Sequence, residues 1–184
     1  MKNLSIILFI FLVSIVIGNS NEYHVDKSNK NSVKFISETP VENFDGKTSK
    51  IDGYFICPSI EKLVGSELYF EVDLNSVDTG IGLRNRHERI ICMQLNIRHL
   101  QVKCNAKVND TEYDVKVKGK MFVHGVTKEI SVSGKIYKLG EGYKLKSNFE
   151  IKLTDYNIKV PKFMFVRISE DIKLYLDFVV KLAE

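Results

Sequence analysis

The chain has 184 residues, of which 44% are hydrophobic and 27% charged, and these proportions are typical of one globular domain with its own core. The formal net charge is +4 at pH 7, and the lysines are spread along the chain instead of being massed on one element. The composition therefore excludes a largely disordered protein and does not indicate a nucleic-acid-binding surface.

The first predicted element is an export signal. Lys2 precedes an apolar run over residues 4–17, and Gly18 and Ser20 offer the small side chains that a signal peptidase accepts. The run is short of the ~20 residues that a membrane span needs. We predict that residues 1–20 are a cleaved signal peptide and that residues 21–184 form a periplasmic or secreted domain with no stable transmembrane span. An uncleaved membrane anchor is the alternative.

The mature part of the chain alternates between apolar and polar residues with a period of two. The alternation is clearest near the end, where Ile172, Leu174 and Leu176 share one face and Lys173 and Tyr175 the other. The same pattern recurs over residues 33–35, 51–55, 68–74, 100–106, 113–123, 130–136 and 143–153. The segments HGVTKE (124–129) and GEG (140–142) are typical of hairpin turns. About eight long strands with short turns favour an antiparallel barrel, because closure removes exposed sheet edges.

Two stretches break this alternation. Residues 60–63 indicate a loop or one helical turn, and residues 83–95 carry apolar positions at roughly helical spacing. The predicted fold is therefore an all-β, antiparallel, eight-stranded barrel with a short helix after the SVDTG corner (76–80). Gly53, Gly119 and Gly134 interrupt the apolar faces. They mark either bends and close backbone approaches or the small side chains that line a cavity.

The segment SVDTGIGLRNRHERI (76–90) concentrates the polar groups that could carry chemistry. His87 with Asp78 or Glu88 is the one acid–base set worth testing, and no nucleophile elbow, metal-binding motif or phosphate loop accompanies it. The four histidines lie in separate elements without ligand spacing. We predict no enzyme activity, metal or cofactor. We expect Asp78 to cap or pair, and Arg84 and His87 to brace a corner of the fold.

Three cysteines, Cys57, Cys92 and Cys104, form an odd set in a compartment where disulfides can form. At most one internal bridge can form among them, and their spacing does not choose the pair. One bridge and three buried thiols both stay open.

Several segments, in order, resemble the YceI-like family of exported polyisoprenoid-binding proteins. SVDTG (76–80) matches the family's strand end, and RNRH (84–87) matches its next segment except that Asn85 replaces an acid. GKMFVHGVTK (119–128) matches its hairpin, with Met121 in place of a Leu. KLTDYNI (152–158) is similar to a fourth segment, with Leu153 in place of an Arg and Asn157 in place of a Gly. The resemblance extends over residues 23–180.

The resemblance implies a lipocalin-like barrel that holds a long isoprenoid chain in its interior. We expect the barrel to bind a polyisoprenoid or similar apolar lipid, as a carrier or sequestering protein, without nucleic acid. The alternative is a ligand-free interaction module with a filled barrel, and homodimerisation and the identity of the ligand stay open. The expected lining is Phe35, Phe55, Phe70, Val102, Val117, Val132, Tyr143, Leu145, Phe149 and Leu174. Asp78, Arg84 and His87 would form a polar corner or mouth, and Phe163, Met164 and Phe165 a lid.

Overall fold

The computed structural model describes residues 20–38, 43–60, 63, 66–80, 94–109, 111–160, 162–163, 166–167 and 169–183, and it describes the backbone alone for residues 94–109, 162–163 and 166–167. Strands dominate these residues. They are β1 (Asn21–Val25), β2 (Ser32–Ser37), β3 (Phe44–Thr48), β4 (Ile51–Cys57), β5 (Glu67–Asp73), β6 (Gln94–Asn109), β7 (Glu112–Val123), β8 (Val126–Leu139), β9 (Gly142–Lys152), β10 (Lys162–Phe163), β11 (Val166–Arg167) and β12 (Asp171–Leu182).

The predicted alternation corresponds to alternation in burial. Along β7, Tyr113, Val115 and Met121 are buried, whereas Lys116 and Lys118 are exposed. Successive side chains of a strand point to opposite faces of the sheet, so one face of each strand supplies the core and the other meets solvent.

The main sheet closes on itself. Among the described strands, β1 pairs antiparallel with both β4 and β12, and the pairing continues through β5, β6, β7, β8 and β9 back to β12. This path is a ring of eight strands. β2 and β3 continue β1 and β4 beyond short breaks, which brings the sheet to ten strands. The predicted all-β antiparallel barrel is therefore confirmed, with two of its strands interrupted.

The break between β1 and β2 is held by polar contacts to β12. Val179 exchanges hydrogen bonds with both ends of the break. Its carbonyl accepts from the Asp26 amide at 2.9 Å, and its amide donates to Asn31 Oδ1 at 3.0 Å. Asn31 is buried, and its Nδ2 donates back to the Asp26 carbonyl at 2.9 Å. The Asn31 side chain thus provides the hydrogen-bond partner for the Val179 amide of β12 at the break, where strand backbone would otherwise provide it.

Both predicted hairpin turns are present. His124 and Gly125 join β7 to β8 with positive φ angles of 49° and 78°, and Gly140 begins the β8–β9 turn with a φ of 59°. Consecutive positive φ angles match the right-handed twist of the flanking strands, which is why Gly is favoured there.

Two of the glycines in the apolar faces mark close backbone approaches. A Cβ at Gly53, whose φ is +140°, would lie 2.0 Å from the Tyr69 carbonyl oxygen, and one at Gly134 would lie 2.7 Å from the Lys146 carbonyl oxygen. Gly53 and Gly134 therefore mark close backbone approaches and do not leave space for a cavity, because neighbouring backbone occupies the place that a side chain would need.

The corner after β5 differs in detail from its prediction. A 3-10 turn over Leu74–Ser76 follows the strand, and the Asp73 carboxylate caps it by accepting from the Asn75 amide. The predicted helix over residues 83–95 lies outside the described residues except for its last two. Those two, Gln94 and Leu95, begin β6 and pair with β5, so the helix prediction is wrong for them. None of the helical segments described here is long or apolar enough to cross a bilayer.

Candidate ligand-binding interior

A small apolar cavity lies inside the barrel. Its volume is about 80 Å³. Most of the described residues that line it are apolar, and Ser133, Lys135, Lys146 and Ser147 are the polar ones. Strands β4, β5, β7, β8, β9 and β12 all contribute to its wall. The predicted lining residues that reach it are Phe55, Phe70, Val117, Val132, Leu145 and Phe149, together with residues such as Ile130 and Phe178 that lie on the same faces.

An aromatic plug made of Tyr23, Phe55 and Tyr143 closes the barrel at the end that carries the β8–β9 turn. The Tyr23 ring centroid lies 6.1 Å from that of Phe55 and 5.0 Å from that of Tyr143. All three side chains are buried, with Phe55 fully so. Tyr143 and Phe55 were predicted to line the interior, whereas Tyr23 was missed. Its alternation with Val25 in the short strand β1 was the available signal.

Burial raises the pKa values of two polar groups at this end of the barrel. Cys57 follows Phe55 on the inward face of β4, and burial raises the pKa of its free thiol to about 11. Burial, together with the nearby Tyr23 hydroxyl, raises the pKa of Tyr143 well above its ordinary value. Neither Cys57 nor Tyr143 therefore carries charge near neutral pH. Cys92 lies outside the described residues, and only the backbone of Cys104 is described.

A second closure forms at the opposite end of the barrel. The 3-10 turn Leu153–Tyr156 buries both of its terminal side chains in the same cluster as Met121 and Val123. The Tyr156 carbonyl accepts a hydrogen bond from His124 Nδ1 at 3.2 Å, which ties this turn to the β7–β8 hairpin. His124 therefore acts in a turn, as its position before Gly125 indicated.

Between these two ends the inner wall is only partly buried. Val117 on β7, Val132 on β8, Phe149 on β9 and Leu176 on β12 all face inward, and each retains intermediate exposure to solvent. Inward-facing apolar side chains in a fully closed barrel would be expected to be buried. The middle of the barrel therefore presents apolar surface that its own side chains do not cover completely.

Two further predicted lining residues, Phe35 and Leu174, pack in or against the core outside the cavity wall. Phe35 pairs across the sheet with Leu174, which is buried, while Phe35 itself is half-buried against the core. The place of a Cβ at Gly46 lies 2.5 Å from the Phe35 ring, so this glycine makes room for the ring. Val102 lies in β6 opposite Val117, and its side chain falls outside the description.

Of the predicted polar corner, only Asp78 is described, and it lies at a junction between two segments of backbone. Asp78 forms an isolated β-bridge with Lys47, with reciprocal backbone hydrogen bonds of 2.9 and 3.0 Å. Its carboxylate accepts from the Gly80 amide at 2.8 Å, which stabilises the local turn. Arg84 and His87 lie outside the described residues, so their predicted bracing role stays a prediction.

Only one residue of the predicted lid is described. The backbone of Phe163 lies in β10, which pairs with β11 separately from the barrel sheet. Met164 and Phe165 lie outside the described residues. The lid assignment therefore stays a prediction.

A wider cleft of about 760 Å³ is polar, unlike the interior. It is lined by the break between β1 and β2, the start of β4, the end of β5 and the β7–β8 turn. Charged side chains of both signs line it, including Lys27, Lys50, Asp52, Glu71 and Asp73. Lys27 and Asp52 are paired at 2.6 Å. Such a cleft favours water and polar groups over a hydrocarbon chain.

Among the described residues, no group of three or more His, Cys, Asp or Glu side chains is placed so that it could hold a metal ion.

Comparison with known proteins agrees with the predicted resemblance. A family model described as a YceI-like domain matches residues 23–180. The fold is similar to that of BcnA from Burkholderia cenocepacia, with a TM-score of 0.66 and 16% identity, over 84% of this chain and 98% of that one. A polyisoprenoid-binding domain from Saccharophagus degradans, implicated in plant cell wall breakdown, gives a TM-score of 0.67 at 16% identity, over 90% of this chain and 100% of that one. A Campylobacter jejuni YceI protein gives 0.55 at 16% identity, over 80% and 89%. No curated protein matches the chain.

Proposed function

Because the chain belongs to the YceI-like domain family, we propose that its barrel binds a polyisoprenoid or a similar long apolar lipid and acts as a carrier or sequestering protein in an exported compartment. The predominantly apolar lining of the interior cavity is the observation that carries this proposal. The similar fold of a domain described as polyisoprenoid-binding supports the choice of ligand class.

The energetics of such binding depend on apolar contact alone. Each buried CH2 group contributes about 0.8 kcal/mol, so a chain of several isoprene units is held without an ion pair. Pockets that bind small ligands usually enclose roughly 300–1,000 Å³, which is more than the described cavity of about 80 Å³. A long chain would therefore fill the cavity with one segment and cover the partly exposed wall around Val117, Val132 and Phe149 with the rest.

The location in an exported compartment is supported by the sequence at the N-terminus. Lys2, the apolar run that follows and the small residues Gly18 and Ser20 are typical of a cleaved signal peptide. Expression of the full chain in a Gram-negative host, followed by fractionation and N-terminal sequencing, tests this part. We expect a periplasmic product that begins near residue 21, and a full-length product retained in the membrane would contradict it.

The binding function is tested by extracting the purified mature protein with organic solvent and analysing the extract by mass spectrometry. We expect a long-chain apolar lipid that is absent from extracts of a control protein purified in the same way. A delipidated sample should then take up added polyprenol. Repeated absence of both a co-purified and an exchangeable lipid would overturn the proposed function.

A second candidate function is a ligand-free interaction module, and the small size of the cavity favours it. If the side chains of β6, a strand of the same ring, fill the remaining space, the interior would hold no chain. The polar cleft of about 760 Å³, which is larger than the interior cavity, would then be the candidate recess for a partner. Failure of delipidated protein to bind polyprenol, with the fold intact by circular dichroism, would favour this second function.

No step of the proposed function requires a catalytic group. Family membership and the similar folds point to a binding protein instead of an enzyme. Replacing His87 with Ala should therefore leave lipid binding unchanged and affect chiefly stability. A defined turnover that is lost in this variant while the fold persists would contradict the assignment.

A further inference from the structure

The pairing between β8 and β9 ends halfway along the barrel. The two strands are in register from Leu139 and Gly142 at the turn up to Gly134 and Ser147. Beyond this last rung, β8 continues through residues 126–133 and β9 through residues 148–152. Within the described part of the chain, β8 is paired there only with β7, and β9 only with β12.

Residues at the last rung account for the separation. Ser147 Oγ donates to the Ser133 carbonyl oxygen at 2.8 Å, so a side chain takes the acceptor that the next rung would use. At Gly134 the backbone lies so close to β9 that a Cβ would approach the Lys146 carbonyl oxygen to 2.7 Å. Close approach at a glycine and a side-chain hydrogen bond to the backbone are both features of ladder irregularities.

The gap is bounded at both ends. Toward the β8–β9 turn, the Gly134–Ser147 rung closes it. Toward the β7–β8 turn, the 3-10 turn that follows β9 contacts β8, and the Tyr156 carbonyl accepts a hydrogen bond from His124. With roughly 3.4 Å per residue, the eight residues of β8 along it span about 24 Å. The gap is therefore a window in the side of the barrel, which we call the β8–β9 window (residues 126–133 and 148–152).

This window opens onto the apolar interior. Ile130 and Val132 on β8 and Phe149 on β9 line the cavity, and all three are partly exposed. The outward-facing residues of its rim, Ser131 and Glu150 among them, are exposed and polar. An unpaired edge within a barrel exposes backbone polar groups and is a liability that closure would remove. Its retention beside the cavity calls for a function.

We propose that the β8–β9 window is the portal through which an apolar chain enters and leaves the barrel, side-on along its length. This inference rests on the proposed function, since it concerns the route of the same ligand. The plug at one end of the barrel and the Leu153–Tyr156 turn at the other leave the sides as the shortest path to the cavity. Side-on entry lets many methylene groups transfer at once, without threading a long chain through an end.

The existence of the window is tested without any ligand, by hydrogen exchange of individual amides followed by NMR. In an antiparallel strand the amide groups point alternately to the two neighbouring strands. Every second amide of residues 126–133 should therefore exchange quickly, whereas residues 134–139 should be protected on both sides. Continuous protection over residues 126–133 would show that the window is closed and would overturn the proposal.

The function of the window is tested by a covalent cross-link between its two rims, which we call the bar. Ser131 and Glu150 face outward on opposite rims, on what would be the third rung beyond the last one formed. The double variant Ser131→Cys, Glu150→Cys is joined with a short bis-maleimide that has a reducible centre. The matched control is Lys135→Cys, Lys146→Cys, because Lys135 and Lys146 are outward-facing partners in the paired half of the same two strands.

The readout is stopped-flow fluorescence of diphenylhexatriene, an apolar rod-shaped probe. We expect the bar to slow both association and release about tenfold or more, as for a closed gate, with little change in the dissociation constant. Reduction of the bridge should restore both rates, and the control bridge should leave them unchanged.

Unchanged rates in the barred variant, with binding intact, would assign entry to an end of the barrel and overturn the portal while leaving the proposed function standing. Absence of binding in the parent protein would overturn the proposed function itself. The two failures are therefore distinguishable.

Discussion

The plug end of the barrel and the β8–β9 window are built from strands with the same alternating pattern, yet they differ in burial. Phe55 in the plug is fully buried, whereas Phe149 beside the window keeps intermediate exposure. Both point inward from a strand of the same sheet. The difference lies in the strand pairing around them, since β4 is paired on both sides and β9 loses its β8 partner beyond Ser147. Backbone pairing, more than side-chain type, decides which part of this barrel is closed.

The largest expected effect comes from truncating one phenylalanine in each region. Phe55→Ala should lower the free energy of unfolding by about 3–5 kcal/mol, because it leaves a cavity in a closed cluster. Phe149→Ala should cost only about 1–2 kcal/mol, because its ring is already partly exposed. Urea denaturation of the two variants measures both values. Equal losses would show that the two regions are packed alike.

A second comparison uses pH, and its effect is intermediate. The pKa of Cys57 is raised from its ordinary value of 9.0 to about 11, so the folded state binds the thiol proton more tightly than the unfolded state. Stability is then fully present below pH 9 and falls as the pH rises from about 9 to about 11, by at most about 2–3 kcal/mol from this group.

The variant Cys57→Val isolates this contribution, because it has a similar shape and no titrating group. Unfolding free energies at pH 8 and pH 10.5 should differ less for the variant than for the parent protein. A parent whose stability falls no more than that of the variant would show that the thiol is not buried in the folded state.

The smallest expected effect concerns the last rung of the β8–β9 ladder. Ser147→Ala removes the hydrogen bond from Ser147 Oγ to the Ser133 carbonyl and should cost about 0.5–1.5 kcal/mol. Ser133→Ala is the matched control, since that bond uses only the backbone of Ser133. Thermal unfolding of both variants measures the loss of stability. An equal loss in the two variants would show that the Ser147 hydroxyl does not stabilise the last rung.

The strands, the hairpins and the barrel could be predicted because each depends on local pattern. Alternation in residues 113–123 and 143–153 specifies one apolar face each, and HGVTKE and GEG supply turn residues with positive φ. A sheet with one apolar face per strand closes to bury that face and to remove its edges. Hairpin connections account for the β7–β8 and β8–β9 neighbours, whereas the pairings of β1 with β4 and β12 join strands that are not consecutive.

The window could not be predicted, because its causes are contacts between strands. Gly134 was noted as an irregularity, but only the backbone of β9 shows that the Lys146 carbonyl occupies the place of a Cβ. Ser147 likewise is an ordinary polar residue until its hydroxyl is seen to bond across to β8. Tyr23 was missed because β1 has only five residues and alternates too briefly to indicate a core strand.

The central claim, that the interior binds a long apolar chain, is tested most directly by competition. Delipidated protein loaded with diphenylhexatriene is titrated with a long-chain polyprenol, in the parent and in two variants. Val132→Asp places a charge on the cavity wall, and Leu139→Asp places the same charge on an exposed residue of the same strand. We predict saturable displacement in the parent and in Leu139→Asp. In Val132→Asp we predict a loss of about tenfold or more in affinity, because a bound chain would bury the unpaired carboxylate, which is strongly disfavoured. No saturable displacement in the parent, or an equal loss in both variants, would contradict the claim.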